Sequence, residues 1–345
     1  MSYPQTVFPP QVLSRIAPDL LLQRHLVQGL RPSLRKFDEF RPLVSTPGTF
    51  NDVGTNSVVG LATVRNGDAF AFCGISLGVV ETSKSPEFFE ELNDEEYASI
   101  YPVVEISRGR SGAPTDEEMI LSQTLHDTIF HLKLIPLLLL SVTPGYQILE
   151  EDSALTILYP QDMGDEVDQE SFQELNISKK NFRYILYAHI KVFSRSGPLF
   201  DLVHYATIEA LKNVSLPRVY LADSGIDPNI RIPIRSRGNF GHLTQAEQRF
   251  YVDERKDIAS PLKLSLDAAV SSTFGVVELM DQDESRSILL ADLEGEAEEF
   301  CSESRINVTA SGESLRHVTI IGGGANVTLD TIQNALQIAR ERKFA

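Results

Sequence analysis

Between Tyr184 and Leu221 the spacing of apolar positions changes period halfway along. Leu186, Ala188, Ile190 and Val192 alternate with Tyr187, His189, Lys191 and Phe193, which predicts a strand with two unlike faces. Gly197-Pro198 ends that strand. Leu199, Leu202, Val203, Ala206, Ala210 and Leu211 then recur at helical spacing, and Leu216-Pro217 closes the helix before a new apolar run at Val219. The turn between strand and helix is Ser196-Gly197, and no acid occurs from Asn181 to Phe200.

The same reading places the other elements. Val58 to Val64 and Ala69 to Ile75 flank Asn66-Gly67-Asp68, a hairpin signal with Phe70 and Phe72 on one face and Ala71 and Cys73 on the other. Tyr101 to Pro114 reads as a strand running into the loop Arg108-Gly109-Arg110-Ser111-Gly112. Thr115-Asp116-Glu117-Glu118 fits a capping box, so a helix is predicted from Asp116 to about Leu132. Met119, Ser122, Leu125, Ile129 and Leu132 form its inward stripe, with Asp127 and Lys133 in water. The run Leu134 to Leu140 is broken by Pro136 and far shorter than the ~20 residues of a membrane helix, so it is assigned to the core.

In the second half, strands are predicted at Arg231 to Arg235, Ser271 to Met280, Ile288 to Leu293, Arg305 to Ala310 and Arg316 to Ile321. Gly322-Gly323-Gly324 leads from the last of these into a helix from Leu329 to Arg342. Strand, glycine turn and helix thus repeat the plan of Leu186 to Leu211. The glycines lack the Lys-Ser/Thr of a phosphate-binding loop and are read as supplying positive φ at a sharp turn.

A length of 345 residues fits two domains. Residues 1–30 read as an arm packed on the main body, 31–221 as a first domain and 222–345 as a second. Within the first, 150–180 is an acidic, polar insertion carrying Glu150, Glu151, Asp152, Asp162, Asp165, Glu166, Asp168, Glu170 and Glu174. Lys and Arg number 31 against 48 Asp and Glu, a formal charge of −17, so the chain as a whole repels a polyphosphate and RNA contact has to be local. Two cysteines, Cys73 and Cys301, argue against a disulfide scaffold. Met1 to Gln5 lack the blocks of a signal peptide, which sets the expectation of an intracellular protein.

The candidate chemistry is sparse. The histidines His25, His126, His131, His189, His204, His242 and His317 are scattered with no zinc-binding spacing, so no metal and no cofactor is expected. His189 and His204 are the pair that could meet. Asp201, in the first turn of its helix, is the acid nearest to Ser196-Gly197 and is read as structural. Arg108 and Arg110, flanked by glycines, are candidate RNA contacts, and Arg231, Arg235 and Arg237 form a second basic cluster.

Around Ser196-Gly197 the chain resembles the RNase PH family, whose members carry an Asp-Gly turn between such a strand and helix and another acid on the strand. Arg31-Pro32-Ser33-Leu34-Arg35 followed by Glu39-Phe40-Arg41-Pro42-Leu43 is similar to the family's opening Arg-Pro-Asp-Gly-Arg run with its later Glu, Phe and Arg. The Asn66-Gly67-Asp68 hairpin is similar to the family's first hairpin. The resemblance extends from Arg31 to about Arg342. It implies an α+β RNase PH fold (ribosomal protein S5 domain 2-like) of duplicated sheet and helix units, making 31–221 and 222–345 its two RNase PH-like domains.

Catalytic members remove nucleotides phosphorolytically from RNA 3′ ends, using acids to hold a cation or move a proton. Ser196 marks that position as degenerate, and Lys191 would repel a divalent cation. Phe8-Pro9-Pro10, Tyr101 to Glu105, the Arg108 to Gly112 loop and the acidic insertion resemble the family's ring subunits in the eukaryotic RNA exosome. The resemblance implies a non-catalytic subunit that supports 3′-to-5′ RNA processing and degradation, including rRNA maturation, in nucleus, nucleolus and cytoplasm, away from membranes. Implied partners are a second RNase PH-like chain of the ribosomal-RNA-processing protein 46 type, three such pairs in a hexameric ring, S1/KH caps, a separate hydrolytic nuclease, and RNA in the channel. Two alternatives stand beside it: an active phosphate-dependent 3′-exoribonuclease, and a stand-alone RNA-binding module.

Overall fold

The computed structural model describes residues 8–48, 58–82, 96–109, 112–149, 155–159, 181–221, 231–232, 234–235, 250–253, 255, 259–265, 269–280, 285–312 and 314–342. Arg110, Arg237 and most of the acidic stretch lie outside them.

Two helices open the chain, α1 (Pro10–Ile16) and α2 (Pro18–Val27). A large sheet is then built from β1 (Leu43–Pro47), β2 (Val58–Asn66), β3 (Ala69–Thr82), β4 (Tyr101–Ile106) and β5 (Asn181–Ser194). Its order is β1-β2-β3-β5-β4, with Ile234–Arg235 added beside β3 and Ser141–Val142 beside β5. The strand alternation explains its two faces: Ala71, Cys73, Ile75, Leu186, Ala188, Ile190 and Val192 point inward and are buried, while Phe70, Phe72, Tyr187 and His189 point outward. The β2–β3 hairpin turns at Gly67, which takes a left-handed φ of +59°.

The inward face is covered by α3 (Asp116–Leu132) and α4 (Leu199–Lys212). On the far side of these helices lies a four-stranded sheet of β6 (Val270–Met280), β7 (Ser285–Ala291), β8 (Ser304–Ser311) and β9 (Ser314–Ile321), in the order β7-β6-β8-β9. Helix α5 (Gly295–Cys301) follows β7, and α6 (Leu329–Glu341) packs on β6, β7 and β8. The order is therefore sheet, helices, sheet, helix. Being enclosed on two sides, α4 buries Leu199, Leu202, Val203, Ala206, Ile208, Ala210 and Leu211, each large aliphatic side chain contributing about 1.5–3 kcal/mol of transfer free energy. A further five-stranded sheet joins Arg231–Ile232, Phe250–Val252, Val219–Leu221, Gly145–Leu149 and Leu155–Leu158.

The arm is packed on the body: Leu21, Leu22 and Leu26 are buried, the last two in one cluster with Val277, Leu290 and Leu293. The capping box at Thr115 and Glu118 forms, and the helix runs from Asp116 to Leu132. Four readings need correction. Met119 is 54% exposed, because the covered stripe of α3 runs through Glu118, Ser122 and Leu125 and leaves Met119 beside it. Within Leu134 to Leu140, Leu138 and Leu139 are exposed while Leu134, Ile135 and Leu140 are buried.

Helix α4 ends at Lys212 rather than at Leu216-Pro217, since the Asn213 side-chain amide donates to the Glu209 carbonyl and occupies the last turn. Gly322 to Gly324 are absent from the left-handed region. Gly324 instead lies close on Glu303, where a Cβ would come within 3.1 Å of the Glu303 Cβ, and its amide lies 3.2 Å from the Ser304 hydroxyl.

Candidate functional site

Strand β5 delivers the Ser196-Gly197 turn. A bulge between Val192 and Ser194 precedes it, and Gly197 takes φ +79°. Two observations show how tightly the turn is covered. The Gly197 amide donates to the Glu299 carboxylate, and a Cβ on Gly197 would come within 2.2 Å of Arg41 Nη2 and 2.7 Å of the Leu293 carbonyl. Arg41 and the segment between β7 and α5 therefore roof this position.

The roof is part of a network that sequence reasoning missed. Arg41 is 7% exposed and Asp292 2%; Arg41 Nε and Nη2 donate to the two Asp292 oxygens at 2.8 Å each, and the Arg41 amide adds a third bond at 2.9 Å. Burial alone would raise the Asp292 carboxyl, but the Arg41 fork outweighs it and holds the group below its ordinary range. Arg31, fully buried, donates from Nε to Glu298 at 3.0 Å and from its terminal nitrogens to the Ala291 and Asp292 carbonyls at 2.8 and 3.0 Å. Arg35 reaches Glu294 at 3.0 Å. The three arginines of the opening motif thus fasten it to residues 291–298. Leu34, where the family pattern has glycine, still takes φ +63°.

Asp201 is buried and accepts four hydrogen bonds: from Ser271 Oγ at 2.7 Å, Thr273 N at 2.8 Å, Thr273 Oγ1 at 2.9 Å and Asn307 Nδ2 at 3.2 Å. Three of these bonds fall on Oδ1 and one on Oδ2, and the group is only 3% exposed, so it is held inside the protein rather than presented to a solvent cation. Burial raises its pKa, opposed by Arg342 and these donors. Its role is to tie the start of α4 to β6 and β8.

His189 and His204, the pair that could meet, do not. His189 is exposed on the outward face of β5, whereas His204 is fully buried on α4 and faces His317 of β9. Burial, then His317, lowers the His204 pKa to about 4. Neither His204 ring nitrogen has a hydrogen-bond partner among the described residues. No group of three metal-ligating side chains occurs among them either.

Of the arginine candidates, Arg108 is bound to the capping box: Nη2 lies 3.1 Å from Glu118 and donates to the Thr115 hydroxyl. Glu118 also accepts from the Thr115 and Ile106 amides at 2.7 Å each, and these backbone donors, Thr115 first, lower its pKa. Arg235 follows β3 at the level of Val80, which pairs with Arg183, whereas the Ser107 amide donates to the Val192 carbonyl. The two sites therefore stand about 30 Å apart along β5, and the fold does not bring them together. Arg110 and Arg237 lie outside the described residues.

The signal for the missed network was the acidic run Asp292, Glu294, Glu296, Glu298 and Glu299, which matches three arginines more than 250 positions earlier.

Comparison with known proteins agrees with this architecture. The model of the 3′ exoribonuclease family, domain 1 (RNase PH), matches residues 39–217. The exosome complex component rrp43 of Schizosaccharomyces pombe (strain 972 / ATCC 24843) is 28% identical over 218 residues, covering 62% of this chain and 63% of that protein, just under two thirds of its length. An Archaeoglobus fulgidus exosome with RNA bound to the active site superposes with a TM-score of 0.56 at 17% identity, covering 95% of this chain and 94% of that one. An archaeal exosome core gives 0.54 at 16% identity, covering 96% and 94%; at these identities the likeness is one of fold. With the family model spanning more than half of its length, the chain belongs to the RNase PH family.

Proposed function

We propose that the chain is a non-catalytic subunit of an RNA exosome ring that supports 3′-to-5′ RNA processing and degradation, rRNA maturation included, by positioning RNA for a separate hydrolytic nuclease. The observation that carries this reading is the Ser196-Gly197 turn. It lacks an acid, the strand before it presents Lys191, and Arg41 and Glu299 close over it. Phosphoryl transfer to phosphate needs carboxylates free to hold a cation or move a proton. Here Asp201 is buried among four donors and Asp292 is buried in the grip of Arg41. Similarity to the rrp43 component supports the assembly, and the formal charge of −17 fits a protomer placed through protein interfaces.

In this reading the chain pairs with an RNase PH-like subunit of the ribosomal-RNA-processing protein 46 type. Three pairs close a hexameric ring, S1/KH subunits cap it, and RNA passes through the channel near Arg108, Arg110, Arg235 and Arg237, in nucleus, nucleolus and cytoplasm. The purified chain, incubated with RNA, inorganic phosphate and magnesium, releases no nucleoside diphosphates. Sustained release would establish the phosphorolytic enzyme instead. Tight, salt-sensitive RNA binding by the isolated chain would establish the stand-alone module.

A further inference from the structure

We propose that the flank formed by edge strand β4 and helix α3 is the docking surface for an unlike protein subunit of the same fold, which covers it through side chains rather than by adding a strand. The inference rests on the ring reading above and names the surface that the reading needs.

Six large apolar side chains are left bare along this flank: Phe193 at 50%, Val103 at 54%, Tyr101 at 43%, Met119 at 54%, Ile120 at 64% and Phe130 at 50% exposed. Tyr101 joins the two elements, with its ring 5.7 Å from Tyr187 on the sheet and 5.8 Å from His126 on the helix. Aromatic and methionine side chains with few unpaired charges are the composition of an interface core. A bare apolar surface of this extent on a chain whose other large sheet face is covered marks an interaction site.

The strand edge itself is closed. β4 is the last strand of its sheet, and edge strands recruit others through free N–H groups. Here the Val104 amide donates to the Ser122 hydroxyl at 3.1 Å and the Ile106 amide to Glu118 at 2.7 Å. A partner therefore meets side chains.

The charges select the occupant. Lys191 is paired with Glu105 at 3.1 Å, Arg195 with Glu117 at 2.9 Å, and Asp127 accepts from Gln123 at 2.9 Å. Two cations stand among three carboxylates here, so a polyphosphate finds no excess positive charge to neutralise. A second copy would bring another formal charge of −17 toward the first. What remains complementary is an apolar, locally neutral face on a less acidic chain.

The test co-expresses the full chain pairwise with each RNase PH-like chain of the same genome and follows sedimentation velocity for the wild type, Val103→Arg and Ile120→Arg. Both replacements are at exposed positions, and circular dichroism checks that the fold is kept. The expected result is a heterodimer with one partner that is lost, by at least a hundredfold in Kd, in both variants. A heterodimer indifferent to both variants overturns the inference while leaving the ring reading standing. Absence of pairing with every chain removes the ring reading and the inference with it. A homodimer of the wild type alone, or binding of a fluorescein-labelled 20-nucleotide oligo(U) that the variants abolish, would assign the flank to a second copy or to RNA and overturn it.

Discussion

Arg41 holds Asp292 in a two-pronged grip, Nε and Nη2 each 2.8 Å from a carboxylate oxygen, and both residues are all but closed to water. Removing one partner of a buried pair leaves the other charge uncompensated, at about 3–5 kcal/mol. Asp292→Ala should lower the unfolding free energy by that amount, read as a lower urea midpoint at an unchanged m-value. A loss below about 1 kcal/mol would show that the pair contributes no more than a surface ion pair.

The left-handed backbone at Leu34, φ +63°, is unfavourable for a branched residue by about 1–2 kcal/mol. Leu34 is 75% exposed, so its side chain gives little in return. Leu34→Gly removes the strain and adds about 0.5–1 kcal/mol of unfolded-state entropy. The expected outcome is a variant as stable as the wild type or up to about 1 kcal/mol more so, read by thermal melting; a clear loss of stability would contradict the strain argument.

His204 makes stability depend on pH. Its pKa lies at about 4 in the folded chain against about 6.5 unfolded, so the unfolded chain takes up the proton first. Its share of stability is complete above about pH 6.5 and is lost as pH falls toward 4, by about 1.4 kcal/mol per unit. From the elements around it the titratable groups are His317 on β9, His131 and Asp127 on α3, and Asp201 on its own helix. Denaturation of wild type and His204→Leu between pH 7.5 and 5 should show the wild type losing stability on acidification relative to the variant, which has no such group to protonate. Parallel curves would place the titration elsewhere.

Returning an acid to the turn does not return chemistry, because Arg41 and Glu299 lie over it and the strand offers no second acid. Ser196→Asp should release no nucleoside diphosphates from RNA with phosphate and magnesium. Release above the wild-type background would mean that the roof opens in solution.

The local elements were legible because their causes are local. The alternation along β5, the Asn66-Gly67 hairpin and the Thr115 to Glu118 box each report a neighbourhood of a few residues. Periodicity does not tell which residues meet across the chain. The grip of Arg31, Arg35 and Arg41 on residues 291–298 spans more than 250 positions, and His204 finds His317 rather than the nearer His189. Met119 carried the right spacing for burial, but helix α3 has cover on one side only. The missing acid at Ser196 could be read from the sequence; the roof over it required the second half of the molecule.

Helix α4 also constrains the order of events at the ribosome. One of its sides packs on strands already made when it emerges, but the partners of Asp201 and His204 lie at Ser271, Thr273, Asn307 and His317. A nascent chain therefore carries a helix whose second face meets its first partners, Ser271 and Thr273, 59 residues after Lys212 and its last, His317, 105 residues after it. During that interval it needs a chaperone or a slow, expanded state, and truncations ending before β9 should be recovered as aggregates rather than as folded halves.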